Sequence, residues 1–501
     1  VLSQRELDEL GALGWNGLVR EEMLATVNTF IATLKQDGGG VRKSVQSVSE
    51  TELDSLREQG QNLSQEELAD HNTSLIFFSV NEMPEGTCEV LYLLGLAESC
   101  MYSPMPALPQ ITSFSQGEDY TEFQGYIQQA PFGIDAEYAW NFRGGRGENI
   151  RIIDVEGGWE HAHRDFPNFF FQKGNTNDLG FRHHGTAVVG EVSAVANDYG
   201  VTGIAHKSPI GSISFMENGV GDAIALAISQ SRKGDVLLIE LQAEGPTVSE
   251  QCTCNCGQYQ HIPMEYWNEN YDLVKTAVSL GIIVVAPAGN GSMNLDDLRY
   301  KERFDPKKRD SGAIFVGAGG SYNHAPHCWT NYGARVDVHA WGDSVMTTGY
   351  GDLGSTSDAT ELYTNIFEGT SSAAPIVAGA ATLLQSIYHE ASDEYLNSLQ
   401  MRALLASTGT PQKASEKNIG PQPNLRVAIA SLPEEAIPED GFNPDEVDSV
   451  AIDFENPQVV SVPKSVTSGN FLVYVIIGLV LVIIAIVVAI VIRRKNISRY
   501  V

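Results

Sequence analysis

The 501-residue chain carries 32 basic and 63 acidic side chains, a formal charge of −31 at pH 7, and 43% of its residues are hydrophobic. This length and this apolar content suit a large globular domain with appendages rather than a disordered chain. The acidic excess argues against sequence-independent binding to nucleic acid, because such binding needs a basic surface that neutralises phosphates.

The first 118 residues differ in pattern from the rest of the chain. Residues 1–70 are rich in Glu, Gln, Leu and Ser at helical spacing, whereas residues 74–80, 88–99 and 100–109 have the patterns of a strand, a helix and a strand. A proline-rich segment then leads into the next part of the chain. We therefore expect a small separate α+β unit over residues 1–118.

Residues 119–432 alternate short β-branched apolar runs with longer helical stretches. The apolar runs are residues 150–156, 210–216, 235–242, 282–290 and 313–319, and the helical stretches are residues 185–197, 221–234 and 270–281. Continuous apolar runs separated by helices are typical of strands that are buried on both faces. The pattern predicts an α/β domain in which helices cover both faces of a parallel sheet, with its chemistry at the carboxyl ends of the strands.

Four polar residues of that domain stand at predicted strand ends or helix starts. Asp154 lies in IIDVE, His184 in HHGTAVVG, Asn290 at the end of VVAPAGN, and Ser371 in the first turn of the helix that begins GTSSAAP. Taken singly, each has a structural explanation as a turn former, a buried histidine or a helix N-cap. Together they are the set of groups that a serine hydrolase requires.

The chemistry explains why these residue types belong together. A serine hydroxyl such as that of Ser371 is a poor nucleophile at neutral pH, so it needs a base within hydrogen-bond reach, here His184. That base needs a carboxylate, here Asp154, to fix its tautomer and to stabilise its charged form. The tetrahedral oxyanion needs preorganised donors, which the amide of Asn290 can provide.

In order, spacing and local sequence, the stretches IIDVE, HGT, PAGN and GTSSAAP resemble the motifs of subtilisin-like serine peptidases, over about residues 125–430. The resemblance implies a serine endopeptidase that acts on polypeptides and requires no cofactor. It also gives residues 1–118 the position of a pro-region, which we expect to make an inhibitory contact with the catalytic domain. A catalytically silent surface protein that keeps this fold for binding is the alternative.

The residues that line the site in this family are only partly matched. Glu240, Leu241 and Gln242 occupy the positions where relatives usually have a substrate-binding wall of serine, leucine and glycine. Glu240 either attracts basic substrate side chains or pairs with an internal arginine, and we favour the arginine. Asp165, in HRDF, matches a position that often ligates calcium. Calcium needs roughly six to eight oxygens, so it stays an open alternative to the absence of any cofactor.

The cysteines are even in number, which is compatible with disulfides outside the cytosol. They are Cys88, Cys100, Cys252, Cys254, Cys256 and Cys328. The cluster CTCNC does not have the spacing of a common zinc site, and the pairing cannot be deduced from sequence. Disulfides are our expectation, with a metal site and free thiols as the alternatives.

The last 69 residues carry the pattern of a membrane anchor. Residues 433–470 are rich in proline and carboxylates and predict an extended acidic stalk. Residues 471–492 carry no charge and are long enough, as a helix, to form one transmembrane span. Residues 493–501 begin with three basic residues, which favours a cytoplasmic tail. We therefore predict a single-pass type I protein with an extracellular or lumenal catalytic domain. A tail-anchored protein with a cytosolic catalytic domain is the alternative.

Overall fold

The computed structural model describes residues 40–69, 71, 75–78, 119–247, 249–353 and 356–433. The strands are β1 (Gly40–Lys43), β2 (Leu75–Phe78), β3 (Ile152–Glu156), β4 (Phe171–Lys173), β5 (Ile210–Ser214), β6 (Val236–Ile239), β7 (Gln242–Glu244), β8 (His261–Pro263), β9 (Ile283–Pro287), β10 (Ile314–Gly319), β11 (Val338–Trp341), β12 (Val345–Leu353) and β13 (Tyr363–Phe367). The α-helices are α1 (Glu50–Ser64), α2 (Ala136–Ala139), α3 (Leu179–Ser193), α4 (Val220–Gln230), α5 (Asn268–Ser279), α6 (Thr370–Ser392), α7 (Ser398–Thr408) and α8 (Leu425–Ala430).

A parallel sheet of seven strands forms the centre of the described structure, as the sequence predicts. Its strand order is β11-β10-β9-β6-β3-β5-β4, and every neighbouring pair is parallel. The chain enters the sheet at β3, adds β5 on one side and then crosses to place β6 on the other side. Such a reversal leaves a crevice at the carboxyl ends of the strands around β3.

Helices cover both faces of this sheet, and the alternation of side chains assigns each strand residue to a face. Ile152 of β3 and Leu238 of β6 belong to the apolar core that includes α3 and α6. Ile153 and Val155 belong to the opposite core, with α4 and α5. The even-numbered residues of β3 therefore point towards α3 and α6.

Helix α6 runs through the core, which explains its run of small residues. Residues 370–387 are all buried. A Cβ added at Gly379 would lie 2.7 Å from two side-chain carbons of Ile204, which is closer than real Cβ contacts. The small side chains thus let the helix backbone pack directly against its neighbours.

The predicted elements of this domain are confirmed with shifted ends. Helix α3, for example, begins at Leu179, six residues before the predicted start, because Asp178 caps it by accepting a hydrogen bond from the N–H of Phe181 at 3.2 Å. The short strand β4, the edge strand β11 and the hairpins β7–β8 and β12–β13 were not predicted. β4, β7, β8 and β11 have three or four residues each and carry too little alternation to be recognised in sequence.

The described part of the amino-terminal unit docks on the face that carries α4 and α5. Strands β1 and β2 pair antiparallel, and Val45, Val48 and Leu53 share the apolar core of that face. The predicted strand at 74–80 is confirmed by β2, whereas the elements predicted at 88–99 and 100–109 lie outside the described residues.

The four described cysteines form two disulfides, Cys252–Cys256 and Cys254–Cys328. The alternatives of a metal site or free thiols at CTCNC are therefore wrong, and Cys88 and Cys100 lie outside the described residues.

Among the helices that the structure describes, none combines the length and apolarity needed to cross a membrane. The span predicted at residues 471–492 and the stalk before it are likewise outside that part of the chain.

Candidate active site

The carboxyl ends of three neighbouring strands bring the candidate residues to one edge of the sheet. Asp154 and Glu156 lie on β3, Glu240 directly follows β6, and Asn290 follows β9. The order β9-β6-β3 makes these strands adjacent. The groups that follow them therefore lie at the predicted crevice, next to the start of α6.

A buried hydrogen bond between His184 and Glu156 forms the centre of the site. Nδ1 of His184 lies 2.5 Å from Oε2 of Glu156, and the two side chains are 3% and 1% exposed. The backbone N–H of Gly157 donates to Oε1 of Glu156 at 2.9 Å. A ring nitrogen that faces a carboxylate carries the proton, so Nε2 of His184 is left with a lone pair that can accept one.

Asp154 is not the carboxylate that contacts His184, and this corrects the expectation from sequence. Its Oδ2 accepts a hydrogen bond from Nε1 of Trp159 at 2.8 Å, and its Oδ1 is buried without a partner. Asp154 and Glu156 share one face of β3, and the longer side chain, nearer the strand end, makes the contact. Burial, followed by the charge of Glu156, raises the pKa of Asp154 well above its usual value, which favours its neutral form.

The contact between Glu156 and His184 requires a close approach of β3 to α3, and Gly185 permits it. A Cβ at position 185 would lie 2.4 Å from the carbonyl oxygen of Gly158, 2.7 Å from Cγ of Glu156 and 2.8 Å from Nε1 of Trp159. Any side chain there would push the strand end away from the helix. The glycine of HGT therefore has a packing role that sets the distance between base and carboxylate.

Ser371 is the second residue of α6 and is 6% exposed. Gly369, just before the helix, has a φ of 117°, a conformation that L side chains rarely adopt. The adjacent Ser372 is used structurally, because its hydroxyl donates to the carbonyl of Trp341 at 2.9 Å. The hydroxyl of Ser371 lies beside the carboxyl of Glu240, where it partly offsets the rise that burial causes in the pKa of that carboxyl.

Asn290 is held from three directions beside this serine. Its Oδ1 accepts from the N–H and from the hydroxyl of Thr370, at 2.8 and 2.9 Å, which fixes the orientation of the amide. Its backbone N–H donates to Oε1 of Gln242 at 2.7 Å, and its Nδ2 donates to Oε1 of Gln258 at 3.3 Å. One Nδ2 proton is thus engaged and the other is available to a ligand.

The three predicted substrate-wall residues are buried in this structure. Glu240, Leu241 and Gln242 are 3%, 4% and 4% exposed. Leu241 belongs to the core on the α4 and α5 face, and Gln242 supports Asn290. The prediction that Glu240 pairs with an internal arginine is wrong, because both carboxyl oxygens of Glu240 lack a hydrogen-bond partner among the described residues.

Asp165 has a structural role that does not fit calcium. Its Oδ1 accepts from Nδ2 of Asn197 at 3.0 Å and its Oδ2 accepts from the N–H of Val201 at 2.9 Å, so both oxygens fasten the loop after α3. Within the described ranges, no group of three or more His, Cys, Asp or Glu side chains could hold a metal ion. One carboxylate that already binds N–H donors cannot supply the oxygen shell of calcium.

Sequence reasoning missed several residues that complete the site. Glu156 could have been found, because residues two apart on a strand share a face and IIDVE offers two acids at that spacing. Trp159, Gln258 and Glu191 could not have been found, because they reach the site from loops and a helix whose placement depends on packing. Glu191 is fully buried on α3, with both carboxyl oxygens lacking a partner among the described residues.

Four buried carboxyl groups thus lie together: Asp154, Glu156, Glu191 and Glu240. Burial, followed by the charge of Glu240, raises the pKa of Glu191 well above its usual value. Burial, followed by the charges of Glu156 and Asp154, does the same for Glu240. Glu156 differs from the others because two donors, His184 and Gly157, bind its oxygens. The raised pKa values of Asp154, Glu191 and Glu240 favour the neutral forms of these three acids.

Comparison with known proteins connects this arrangement to one family. The model of the subtilase family matches residues 149–423, more than half of the chain. A thermophilic serine proteinase of Bacillus sp. (strain AK1) is 28% identical over 274 residues, which are 53% of this chain and 59% of that protein. Subtilisin DY of Bacillus licheniformis is 29% identical over 295 residues, 56% of this chain and 92% of that protein. A solved protease of Pseudoalteromonas arctica PAMC 21717 is 21% identical, with a TM-score of 0.45, and the alignment covers 65% of this chain and 99% of that one.

The raised pKa of Glu191 predicts a pH-dependent difference in stability between the wild type and Glu191→Gln. A carboxyl that keeps its proton in the fold and loses it on unfolding makes stability fall as the pH rises above its unfolded pKa, by about 1.4 kcal/mol per pH unit, up to the folded pKa. Glutamine does not titrate, so the variant should gain stability relative to the wild type between pH 5 and pH 8.

Urea unfolding at the two pH values measures this difference, with Ser371→Ala in both proteins to prevent self-digestion. An unchanged difference between pH 5 and pH 8 would show that Glu191 is ionised in the folded protein.

Proposed function

The chain belongs to the subtilase family and is a serine-type endopeptidase, and we propose that it cleaves peptide bonds with Ser371, His184, Glu156 and Asn290. The observation that carries this assignment is the buried bond between His184 and Glu156 next to the first turn of α6. A histidine buried against a carboxylate is a base with a fixed tautomer, and the serine at the helix start is its natural partner.

In the proposed mechanism, Ser371 attacks the scissile carbonyl while Nε2 of His184 accepts the hydroxyl proton. His184 then delivers that proton to the leaving amine, and a second cycle with water releases the acyl group from Ser371. Glu156 holds the proton on Nδ1 and stabilises the imidazolium. Asp154 fulfils a different task, because its bond to Trp159 packs the strand end that carries Glu156.

The oxyanion is proposed to bind the free Nδ2 proton of Asn290 and the backbone N–H of Ser371. Thr370 and Gln258 hold the Asn290 amide in place before substrate arrives, so little reorganisation is needed during the reaction. The N-terminus of α6 adds a partial positive charge at the same point. The Asn290 amide, the Ser371 N–H and the N-terminus of α6 would thus all stabilise the developing negative charge.

The first test asks whether Glu156, rather than Asp154, is the acid that supports His184. Glu156→Gln should lower kcat/KM for a peptide about 10²- to 10⁴-fold, because an amide cannot stabilise the imidazolium of His184. Asp154→Asn should lower it by less than about tenfold, because an asparagine oxygen still accepts the bond from Trp159. The measurement is peptide hydrolysis by purified protein.

Ser371→Ala gives the background rate of that assay, and this variant should not be labelled by a fluorophosphonate. A larger loss in Asp154→Asn than in Glu156→Gln would return the role of the triad acid to Asp154. A Ser371→Ala protein that still hydrolyses the peptide would contradict the nucleophile.

The amino-terminal unit is proposed to restrain the peptidase, as the sequence resemblance implies. Support comes from its docking contacts: Asp222 of α4 accepts hydrogen bonds from the N–H groups of Gln46 and Ser47, the latter at 2.6 Å, and from the Ser47 hydroxyl at 2.6 Å. Nζ of Lys275 on α5 pairs with Glu66 at 2.7 Å. These contacts lie on the face of the sheet opposite to α3 and α6.

Removing the carboxylate of Asp222 should release the amino-terminal unit from the catalytic domain. Asp222→Ala loses the three charge-assisted hydrogen bonds from Gln46 and Ser47, and one from Asn218, so we expect hydrolysis of a peptide by the full chain to rise about tenfold or more. Limited proteolysis reports the release independently. Lys275→Ala, which breaks one half-exposed ion pair, is the matched control and should change the rate little. If proteolysis shows a freed unit while the rate stays constant, the unit does not inhibit.

Membrane anchorage is proposed from sequence alone, through the uncharged residues 471–492, with the basic residues after them in the cytoplasm. The acidic residues 433–470 would then separate the peptidase from the bilayer as an extended stalk. Two disulfides in the catalytic domain favour an extracellular or lumenal site for this domain.

A protease-protection experiment on sealed vesicles tests this topology. Protease added on the cytosolic side should leave the catalytic domain intact until detergent opens the vesicles, because only the tail after residue 492 is accessible. Digestion of the catalytic domain from the cytosolic side, while lumenal markers survive, would show the tail-anchored alternative.

A further inference from the structure

The carboxyl of Glu240 is a buried group on which Ser371 acts and which the mechanism above does not use. Glu240 follows β6, and its N–H donates to the carbonyl of Val155 at 3.1 Å, so it continues the register of β6 with β3. In that register, Asp154 faces Leu238 and Val155 faces Ile239, which puts Glu240 beside Glu156. Its side chain therefore points to the same face as Asp154 and Glu156, towards α3 and α6.

Three elements pack charged or reactive groups against Glu240. Strand β3 contributes Asp154 and Glu156, whose charges raise the pKa of Glu240, and α6 contributes the hydroxyl of Ser371. Helix α3 contributes Glu191, on whose pKa Glu240 acts in turn, and it also carries His184, the base. No lysine or arginine among the described residues acts on the Glu240 carboxyl.

The two protonation states of this carboxyl would act on Ser371 in opposite ways. A neutral acid can donate a hydrogen bond to a lone pair of the serine Oγ, which leaves the hydroxyl proton free to face His184. An ionised carboxylate can only accept, so it would draw the hydroxyl proton away from His184. It would also place a negative charge beside the site where the oxyanion forms.

We propose that Glu240 is a positioning residue that works in its neutral form, presenting its carboxyl proton to Oγ of Ser371 and so directing the serine hydroxyl to His184. The proposal rests on the assignment of Ser371 and His184 as nucleophile and base, and it adds a specific cause for loss of activity at high pH. It is carried by a side chain that is 3% exposed, has no hydrogen-bond partner of regular geometry, and lies beside the nucleophile.

The test compares the pH profiles of kcat/KM for peptide hydrolysis by the full chain and its variants between pH 5 and pH 10. In the wild type, the rate should fall at high pH as Glu240 ionises, about tenfold for each pH unit above its pKa. Glu240→Gln keeps a neutral donor, so it should match the wild type within about threefold at pH 5 to 6 and lack the fall at high pH.

Glu240→Leu has no donor, so it should be about tenfold less active than Glu240→Gln at every pH. Glu191→Gln is the matched control, because it removes a buried carboxyl that does not contact Ser371, and it should keep the fall at high pH. Thermal unfolding of each variant on the Ser371→Ala background checks that it folds. If Glu240→Leu does not fold, the profile of Glu240→Gln decides alone.

Two results would overturn the proposal: a Glu240→Gln profile parallel to that of the wild type up to pH 10, or a folded Glu240→Leu as active as Glu240→Gln. Failure of the underlying function gives a different result, since wild type and Ser371→Ala would then hydrolyse the peptide equally slowly. The two failures are therefore distinguishable in one set of measurements.

Discussion

The hydrogen bond between Glu156 and His184 requires the end of β3 to touch the middle of α3, and much of the site follows from this contact. Gly185 makes room for it, since a Cβ there would collide with Gly158, Glu156 and Trp159. Trp159 in turn binds Asp154 and closes the strand end. Because both side chains are buried, the electrostatic strength of this bond is high and its geometry is restricted.

The buried acids beside this bond affect one another. Asp154, Glu191 and Glu240 have raised pKa values because they are buried near negative charge without a described cation that offsets it. Glu240 stands where relatives usually have a serine. The raised pKa values of Asp154, Glu191 and Glu240 favour their neutral forms, which limits the negative charge around the proposed base His184.

Residues outside the family motifs hold Asn290, the proposed oxyanion donor. Gln242 and Gln258 hold the backbone and the amide of Asn290. Gln258 follows the segment fastened by Cys252–Cys256 and Cys254–Cys328, so these disulfides stabilise the loop that orients the donor. The glutamine that replaces the usual wall glycine therefore has a structural role, because its side chain binds the backbone N–H of Asn290.

The sequence by itself determined the parallel α/β fold and placed Ser371, His184 and Asn290 at strand ends or helix starts, because strand runs, helix starts and motif spacing are local features. It could not decide whether Asp154 or Glu156 contacts His184, since both acids share one strand face. Only the distance between β3 and α3 selects between them. The sequence also could not find that Glu240 lacks an arginine or that Glu191 lies nearby, because burial and charge pairing depend on residues far apart in the chain. The tertiary structure decided these points, since a buried carboxyl takes its protonation state from its neighbours in space and not from its neighbours in sequence.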